Sequence, residues 1–183
     1  RRPDPASAPH IVILPGSRRS EIRHILPPML AGFEMLRDIF PEITATIPTL
    51  PRIADSIEAS CAATASAEAI SIDQDEGALF RALVSGHAVL AASGTVTLQT
   101  ALYGAPGVAC YIAPALSAAI GRRLVSMDRV ILPNALLGRE VYPFLFQERA
   151  SAPALAGAMR QVLSDAEAGR RAANDAEDLR KTL

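Results

Sequence analysis

The sequence contains no tryptophan, only two cysteines, and aromatic residues at just 4% of its 183 positions. Cys61 and Cys110 lie far apart in the chain and fit no disulfide framework, metal-ligand spacing or redox motif, so we expect two free thiols in a reducing compartment. Because half of the residues are hydrophobic, Ala, Leu, Val and Ile must fill the core. That composition is typical of helices packed on a buried parallel sheet.

The chain also lacks an excess of charge of either sign, with a formal net charge of −1 at pH 7. Without a basic stripe, a general electrostatic interaction with nucleic acid is excluded. No apolar run reaches the length of a membrane span, and no signal peptide is recognisable. Residues 1–9 contain three prolines and no hydrophobic period, so we predict a linker that joins this chain to the N-terminal half of a longer protein.

Short apolar runs alternate with helical periodicity along the rest of the chain. The runs predict strands at 10–14, 43–47, 69–72, 88–92 and 107–111. The periodic segments predict helices at 17–40, 53–64, 77–83, 95–103, 115–127, 152–164 and 166–183. This order predicts an α/β fold, a Rossmann-like parallel sheet with helices on both faces. We expect one Rossmann-like domain at 10–165, followed by a C-terminal helix at 166–183.

Proline and glycine refine this prediction at three places. Pro27 and Pro28 interrupt the first helical pattern, so we expect a break or a kink there. Gly104 is expected to close the helix at 95–103 in the left-handed conformation. Residues 130–146 are predicted to be mostly loop, with room for a short helix. Long ordered loops often carry functional residues.

Two strand ends carry residues that suit an anion, and in parallel α/β sheets ligands bind beyond the carboxyl ends of the strands. Gly16, Ser17 and Arg18 follow the first strand, and a helix starts directly after them. Exposed N–H groups at the helix start, together with arginine, favour a phosphate. The alternative is an ordinary strand–turn–helix connection with solvated arginines.

The second such strand end is Ser93-Gly94-Thr95, which follows the strand at 88–92. It suits a pyrophosphate, or alternatively it is simple N-capping by Ser or Thr. Two such turns in one sheet favour the phosphate interpretation more than either does alone. Neither turn is a P-loop or the dinucleotide G-x-G-x-x-G pattern.

A third polar stretch lies in the predicted loop, where Asn134, Arg139 and Glu140 stand within an apolar part of the chain. Alone, these residues favour a surface excursion that carries a solvated Arg–Glu pair over a functional loop. The three stretches together, in this order and at this spacing, resemble the lipid-A-disaccharide synthase family. The residues that carry the resemblance are Leu14-Pro15-Gly16-Ser17-Arg18 with Glu21-Ile22, Ala92-Ser93-Gly94-Thr95 with Leu98, and Leu132-Pro133-Asn134 with Gly138-Arg139-Glu140 and Gln147-Glu148. The match extends over residues 10–163.

The resemblance implies the C-terminal, donor-binding half of a GT-B glycosyltransferase. The donor would be UDP-2,3-diacylglucosamine, and the acceptor would be lipid X, the corresponding 1-phosphate, bound through the N-terminal domain that this chain lacks. The implied enzyme is inverting, needs no metal or other cofactor, releases UDP, and works in the cytoplasm as a peripheral protein of the inner membrane. A homodimer is compatible with this assignment.

The resemblance also implies site residues. Asn134 and Arg139 would be catalytic, and the general base would lie in the N-terminal domain. The residues expected at the UDP-sugar site are Gly16, Ser17, Arg18, Ser93, Gly94, Thr95, Gln99, Asn134, Arg139 and Glu140, and no residue is expected to bind a metal.

Two positions depart from the family pattern. The family usually has Glu at the position of Gln99, where it typically binds the ribose hydroxyls, and a basic residue at the position of Ile112. Gln accepts a hydrogen bond but lacks the charge. Two alternatives therefore stay open, namely another GT-B enzyme of UDP-sugars, such as an epimerase or an undecaprenyl-linked transferase, and a nucleotide-binding module that has lost transfer activity.

Overall fold

The computed structural model of the chain describes residues 7–112 and 131–183. The predicted helix at 115–127 and residues 1–6 of the predicted linker lie outside the described residues. The described part forms a six-stranded sheet in the order β3-β2-β1-β4-β5-β6, in which every pair of neighbouring strands is parallel. The strands are β1 His10–Leu14, β2 Thr44–Pro48, β3 Ile70–Asp73, β4 Ala88–Ala92, β5 Gly107–Tyr111 and β6 Phe144–Phe146.

Seven α-helices are described, with two short 3₁₀ turns at Ala67–Ala69 and Gln147–Arg149. The helices are α1 Arg19–Arg37, α2 Pro51–Ala62, α3 Ala78–Ser85, α4 Thr95–Leu102, α5 Leu132–Leu137, α6 Ala152–Ser164 and α7 Ala168–Thr182. Gly104 has φ +70° directly after α4, so the predicted left-handed helix end is confirmed.

The helices cover both faces of the sheet because successive residues of a strand point to opposite sides. Ile11 and Ile13 of β1 belong to the core cluster that includes buried residues of α1, α2 and α6. Val12 and Leu14 of the same strand pack with α3 in a second cluster on the other face. The predicted Rossmann-like α/β architecture is confirmed.

A third cluster holds α4, α5 and α7 together next to β5. Ala101 of α4, Tyr142 of the loop before β6 and Leu179 of α7 are each no more than 2% exposed and pack together there. Arg180 of α7 also donates a hydrogen bond to the carbonyl of Leu102, the last residue of α4. The C-terminal helix is therefore packed on the sheet-covering helices.

Of the break or kink expected at Pro27-Pro28, the break is absent, because α1 is continuous through both prolines. Proline removes the amide donors that would bond to the carbonyls of Arg23 and His24, four residues earlier. Both of these residues are exposed, where water can satisfy the carbonyls. The buried face of α1, which carries Ile22, Ile25, Leu26, Met29, Leu30, Phe33 and Leu36, keeps the helix in one piece.

The sequence also missed the sixth strand, because residues 130–146 were predicted to be mostly loop. β6 pairs with β5 at the sheet edge, with Phe144 opposite Ala109 and Phe146 opposite Tyr111. A strand of three residues is too short to show the period-two alternation that identifies a strand. The helix α5 lies in the same stretch and agrees with the short helix that was allowed there.

Candidate functional site

A cleft of about 850 Å³ opens at the carboxyl edge of the sheet. It is lined by the residues that follow β1, β2, β3 and β4, which all end at this edge because the sheet is parallel. β1 and β4 are direct neighbours, with Leu14 opposite Ala91. This pairing places the two glycine turns side by side, although they lie far apart in the sequence.

The first turn depends on the conformation of Gly16. Gly16 has φ +103°, which L side chains rarely adopt, and a Cβ there would lie 2.9 Å from Oε2 of Glu21. Arg18 is the residue before α1, and its Nη1 donates to Oε1 of Glu21 at 2.8 Å. The Arg18 side chain is 77% exposed and that of Glu21 only 17%. The largely buried Glu21 carboxylate therefore holds Arg18 by a hydrogen bond, and the guanidinium stays accessible from the cleft.

The second turn joins β4 to α4. The backbone N–H of Ser93 donates to the carbonyl of Cys110 at 2.7 Å, which ties the turn to β5. Gly94 is extended, and a Cβ at this position would meet no atom within 4 Å. Thr95 begins α4, and the first N–H groups of a helix have no acceptor within the helix. Gly94, Thr95 and Val96 all line the cleft, so the helix start opens onto it with an unfilled space at Gly94.

The structure brings seven of the predicted site residues together. They are Gly16, Ser17, Arg18, Ser93, Gly94, Thr95 and Gln99. Gln99 lies on α4, one turn beyond Thr95, and is exposed. Two helix N-termini and one guanidinium thus face the same cleft, an arrangement that attracts a polyanion such as a diphosphate.

Sequence reasoning missed the side of the cleft formed beyond β2 and β3. Thr49, Asp75 and Glu76 line it there. The Oγ1 atom of Thr49 is buried and has no hydrogen-bond partner among the described residues. The predicted strands at 43–47 and 69–72 could have indicated this side of the cleft, because the carboxyl ends of all strands in a parallel sheet lie at the same edge.

Asn134, Arg139 and Glu140 do not line this cleft. Asn134 is only 2% exposed, and its side chain is used within the protein: Nδ2 donates to the carbonyl of Tyr142 at 2.9 Å, and Oδ1 accepts from the N–H groups of Val141 and Tyr142 at 2.9 and 3.0 Å. Asn134 thus stands apart from the seven residues of the cleft, and its polar atoms fix the chain before β6; its catalytic role stays a prediction.

Arg139 and Glu140 lie in a second groove of about 630 Å³, next to Gly107 at the start of β5 and thus at the opposite edge of the sheet. Arg139 donates to Asp175 at 2.6 Å and to Asp178 at 2.8 Å, both on α7. These hydrogen bonds, first to Asp178 and then to Asp175, raise the pKa of the guanidinium. Arg139 thus links α7 to the loop after α5 and lies apart from the cleft; its role at the donor site stays a prediction.

Comparison with known proteins identifies the family of this chain. The family model described as lipid-A-disaccharide synthetase matches residues 4–183. The chain belongs to this family. The family resemblance of the three polar stretches is thereby confirmed.

Lipid-A-disaccharide synthases from several bacteria are similar to this member of the synthetase family over most of its length. The Nitrobacter winogradskyi enzyme is 40% identical over 167 residues, which cover 91% of this chain and 41% of the relative. The Rhodopseudomonas palustris strain HaA2 enzyme is 38% identical over 161 residues, which cover 87% of this chain and 40% of the relative. The chain thus spans about two fifths of the length of these lipid-A-disaccharide synthases.

Solved structures share the fold of this lipid-A-disaccharide synthetase family member. Spinosyn rhamnosyltransferase, complexed with thymidine diphosphate, has a TM-score of 0.63 at 16% identity, over 96% of this chain and 42% of that protein. The Staphylococcus aureus protein MnaA, solved with UDP, has a TM-score of 0.58 at 12% identity, over 90% of this chain and 39% of that protein. At such identities the likeness concerns the fold, which is that of one domain of a GT-B glycosyltransferase.

Two negative observations complete the description of this family member. Among the helices of residues 7–112 and 131–183, none combines the length and the apolar character that crossing a bilayer requires. In the same ranges, no three His, Cys, Asp or Glu side chains are grouped so that they could hold a metal ion. That transfer in this family needs no metal stays a prediction.

Proposed function

We propose that this chain is the donor-binding domain of a lipid-A-disaccharide synthase and that the cleft at the carboxyl edge of the sheet holds the UDP moiety of UDP-2,3-diacylglucosamine. The observation that carries the proposal is the convergence of both glycine turns and Arg18 on one cleft of about 850 Å³. This volume lies in the usual range for small-molecule sites. The family assignment supports the choice of donor.

The charge of the diphosphate is met by protein groups in this proposal. The start of α4 offers N–H groups at the end of the helix dipole that favours anions. Arg18 adds a formal positive charge across the cleft. Its pairing with Glu21 at 2.8 Å is solvent-accessible and thus weak, so a diphosphate can compete for the guanidinium. Gln99 is placed to accept a hydrogen bond from a ribose hydroxyl.

The reaction of the complete enzyme follows from this role. A hydroxyl of lipid X attacks the anomeric carbon of the donor sugar from the face opposite UDP, which inverts the configuration and gives the β-1,6-linked disaccharide. The hydroxyl proton passes to a general base in the N-terminal domain. The bond to the β-phosphate breaks, and the negative charge that develops on UDP is stabilised by the start of α4 and by Arg18. The resident groups do this without a metal or other cofactor.

Asn134 and Arg139 act on the donor site indirectly in this proposal, because their side chains are engaged with Tyr142 and with α7. Glu140, exposed in the second groove, is given no contact with the nucleotide. We further propose that the whole enzyme works in the cytoplasm, peripherally on the inner membrane where its acylated substrates reside. A homodimer is compatible with it, and no nucleic acid partner is needed.

Calorimetric titration of the chain with UDP tests the proposal. Wild type should bind saturably. Arg18→Ala should weaken binding about 10- to 150-fold, because a charge-assisted hydrogen bond contributes roughly 1.5–3 kcal/mol. Arg23→Ala is the matched control, because Arg23 is an exposed arginine of α1 that does not line the cleft. Gln99→Glu should tighten binding by restoring the charge of the family residue.

Equal affinities of the Arg18→Ala and Arg23→Ala variants would contradict the assignment of Arg18. Absence of saturable binding at millimolar UDP, both for the chain and for the full-length parent enzyme, would refute the donor site itself. Binding only in the parent would show that the N-terminal domain completes the site.

A further inference from the structure

A continuous series of buried polar side chains runs from the loop before β6 to the second glycine turn of the cleft. Asn134, Tyr142, Thr97 and Thr100 belong to it, and each is at most 2% exposed. Buried polar groups of this kind adopt one arrangement, because any other would leave a donor or acceptor unsatisfied.

The series begins where Asn134 fixes the backbone of residues 141 and 142 through three hydrogen bonds, two of them to residue 142. The Tyr142 ring is held by this backbone within the cluster formed by α4, α5 and α7. Its hydroxyl donates to the carbonyl of Ala105 at 2.7 Å and lies 3.1 Å from Oγ1 of Thr100, a second acceptor for the same proton. Tyr142 thus connects the loop before β6 to both ends of the turn that closes α4.

Inside α4 the series continues towards the cleft. The hydroxyl of Thr100 donates to the carbonyl of Thr97 at 3.0 Å. The hydroxyl of Thr97 donates to the carbonyl of Gly94 at 2.7 Å, and the Thr97 N–H donates to the same carbonyl at 3.1 Å. The Gly94 carbonyl therefore points into the first turn of α4. In a trans peptide the N–H of the next residue points the opposite way, so the N–H of Thr95 is turned outward, where Gly94 and Thr95 line the cleft.

We propose that Tyr142 is a positioning residue of the nucleotide site, which acts through Thr100 and Thr97 to hold the Gly94–Thr95 peptide with its N–H towards the diphosphate. The inference rests on the proposed function for the identity of the ligand. By this inference, the loop before β6 affects the affinity for the nucleotide although it lies apart from the cleft.

The test uses Tyr142→Phe, which removes one oxygen atom and keeps the ring in the core. The matched control is Thr46→Val, which removes a hydroxyl that is hydrogen-bonded to Ser71 at 2.8 Å in β2, outside the cleft lining. Two quantities are measured for each variant: the amide NMR shifts of Gly94 and Thr95 without ligand, and the Kd for UDP. Urea unfolding of both variants records their loss of stability.

We expect Tyr142→Phe to move the amide signal of Thr95. It should also weaken UDP binding about fivefold, the size expected when one hydrogen bond between the protein and the diphosphate is lost. Thr46→Val should change neither quantity, even at equal loss of stability. Thr97→Val should weaken binding as well, and adding Tyr142→Phe to it should have little further effect, because the two residues act in series. Thr97→Ser, which keeps the hydroxyl, should restore binding.

An unchanged Thr95 amide and an unchanged Kd in Tyr142→Phe would overturn the inference, and so would an equal weakening in Thr46→Val, which would reflect general loosening. If neither the chain nor the full-length parent enzyme binds UDP, the proposed function fails, and the ligand-free amide shift still decides the positioning role. A Thr95 signal that moves in Tyr142→Phe alone supports it, and one that does not move refutes it.

Discussion

Replacing Asn134 by alanine should destabilise the protein strongly, although the residue lies in a loop-rich part of the chain. The substitution removes three hydrogen bonds of 2.9–3.0 Å and leaves the carbonyl of Tyr142 and the N–H groups of Val141 and Tyr142 without their partner. At about 1 kcal/mol for each bond, the free energy of unfolding should fall by about 3 kcal/mol. In a domain of this size that corresponds to a Tm lower by roughly 6–12 °C.

Urea unfolding followed by circular dichroism measures the loss, and thermal unfolding gives the second estimate. Asn174→Ala is the matched control, because Asn174 is exposed on α7. Its substitution should change the unfolding free energy by less than about 0.5 kcal/mol. The reasoning would be refuted if Asn134→Ala unfolded within the same margin as wild type. In that case, a loss of UDP binding at unchanged stability would show that Asn134 contacts the nucleotide directly.

Two further predictions concern the first glycine turn of the cleft and the histidine at the start of β1. Gly16→Ala should lower the free energy of unfolding by about 1–2 kcal/mol, because the left-handed conformation is unfavourable for alanine and the new Cβ would crowd Glu21. Gly94→Ala is the control and should unfold like wild type, because Gly94 is extended and a Cβ there meets open space. Equal urea midpoints for the two variants would contradict this prediction. The free energy of unfolding should fall as the pH drops below about 6.5. Burial, assisted by the charge of His87, lowers the pKa of His10 from 6.5, so the unfolded chain binds the proton more readily than the folded one. A His10→Asn variant should lose this part of the pH dependence, and an unchanged profile would exclude His10 as its cause.

The central strands of the sheet could be predicted from the sequence because β1, β4 and β5 are short runs of mostly buried apolar residues. β4 is the clearest case, since all five of its residues are buried. The continuity of α1 could not be predicted, because local rules place a break at Pro27-Pro28, whereas the packing of its apolar face decides the outcome. β6 was missed for the opposite reason: three residues carry no period, and pairing with β5 alone makes them a strand.

The site shows the same division. The turns at Gly16 and Gly94 could be recognised because glycine after an apolar run marks a close approach of backbone to ligand, and parallel pairing then brings the turns together. The position of Asn134 could not be foreseen. A polar residue in an apolar stretch either faces a ligand or satisfies buried backbone, and the sequence does not distinguish between these. Only the distances to residues 141 and 142 reveal the second role.

The central pairing of β1 with β4 has a consequence for the order of events in folding. The two turns of the cleft are separated in the sequence by a long segment with three strands and three helices, and they meet only when β1 and β4 pair. Contacts of such high sequence separation form slowly, because the entropy of closing the loop is lost before they are made. A nucleotide that needs both turns can therefore recognise only chains in which β1 and β4 have paired. During refolding, its binding would report this pairing, and at equilibrium it would draw the population towards the native state by mass action.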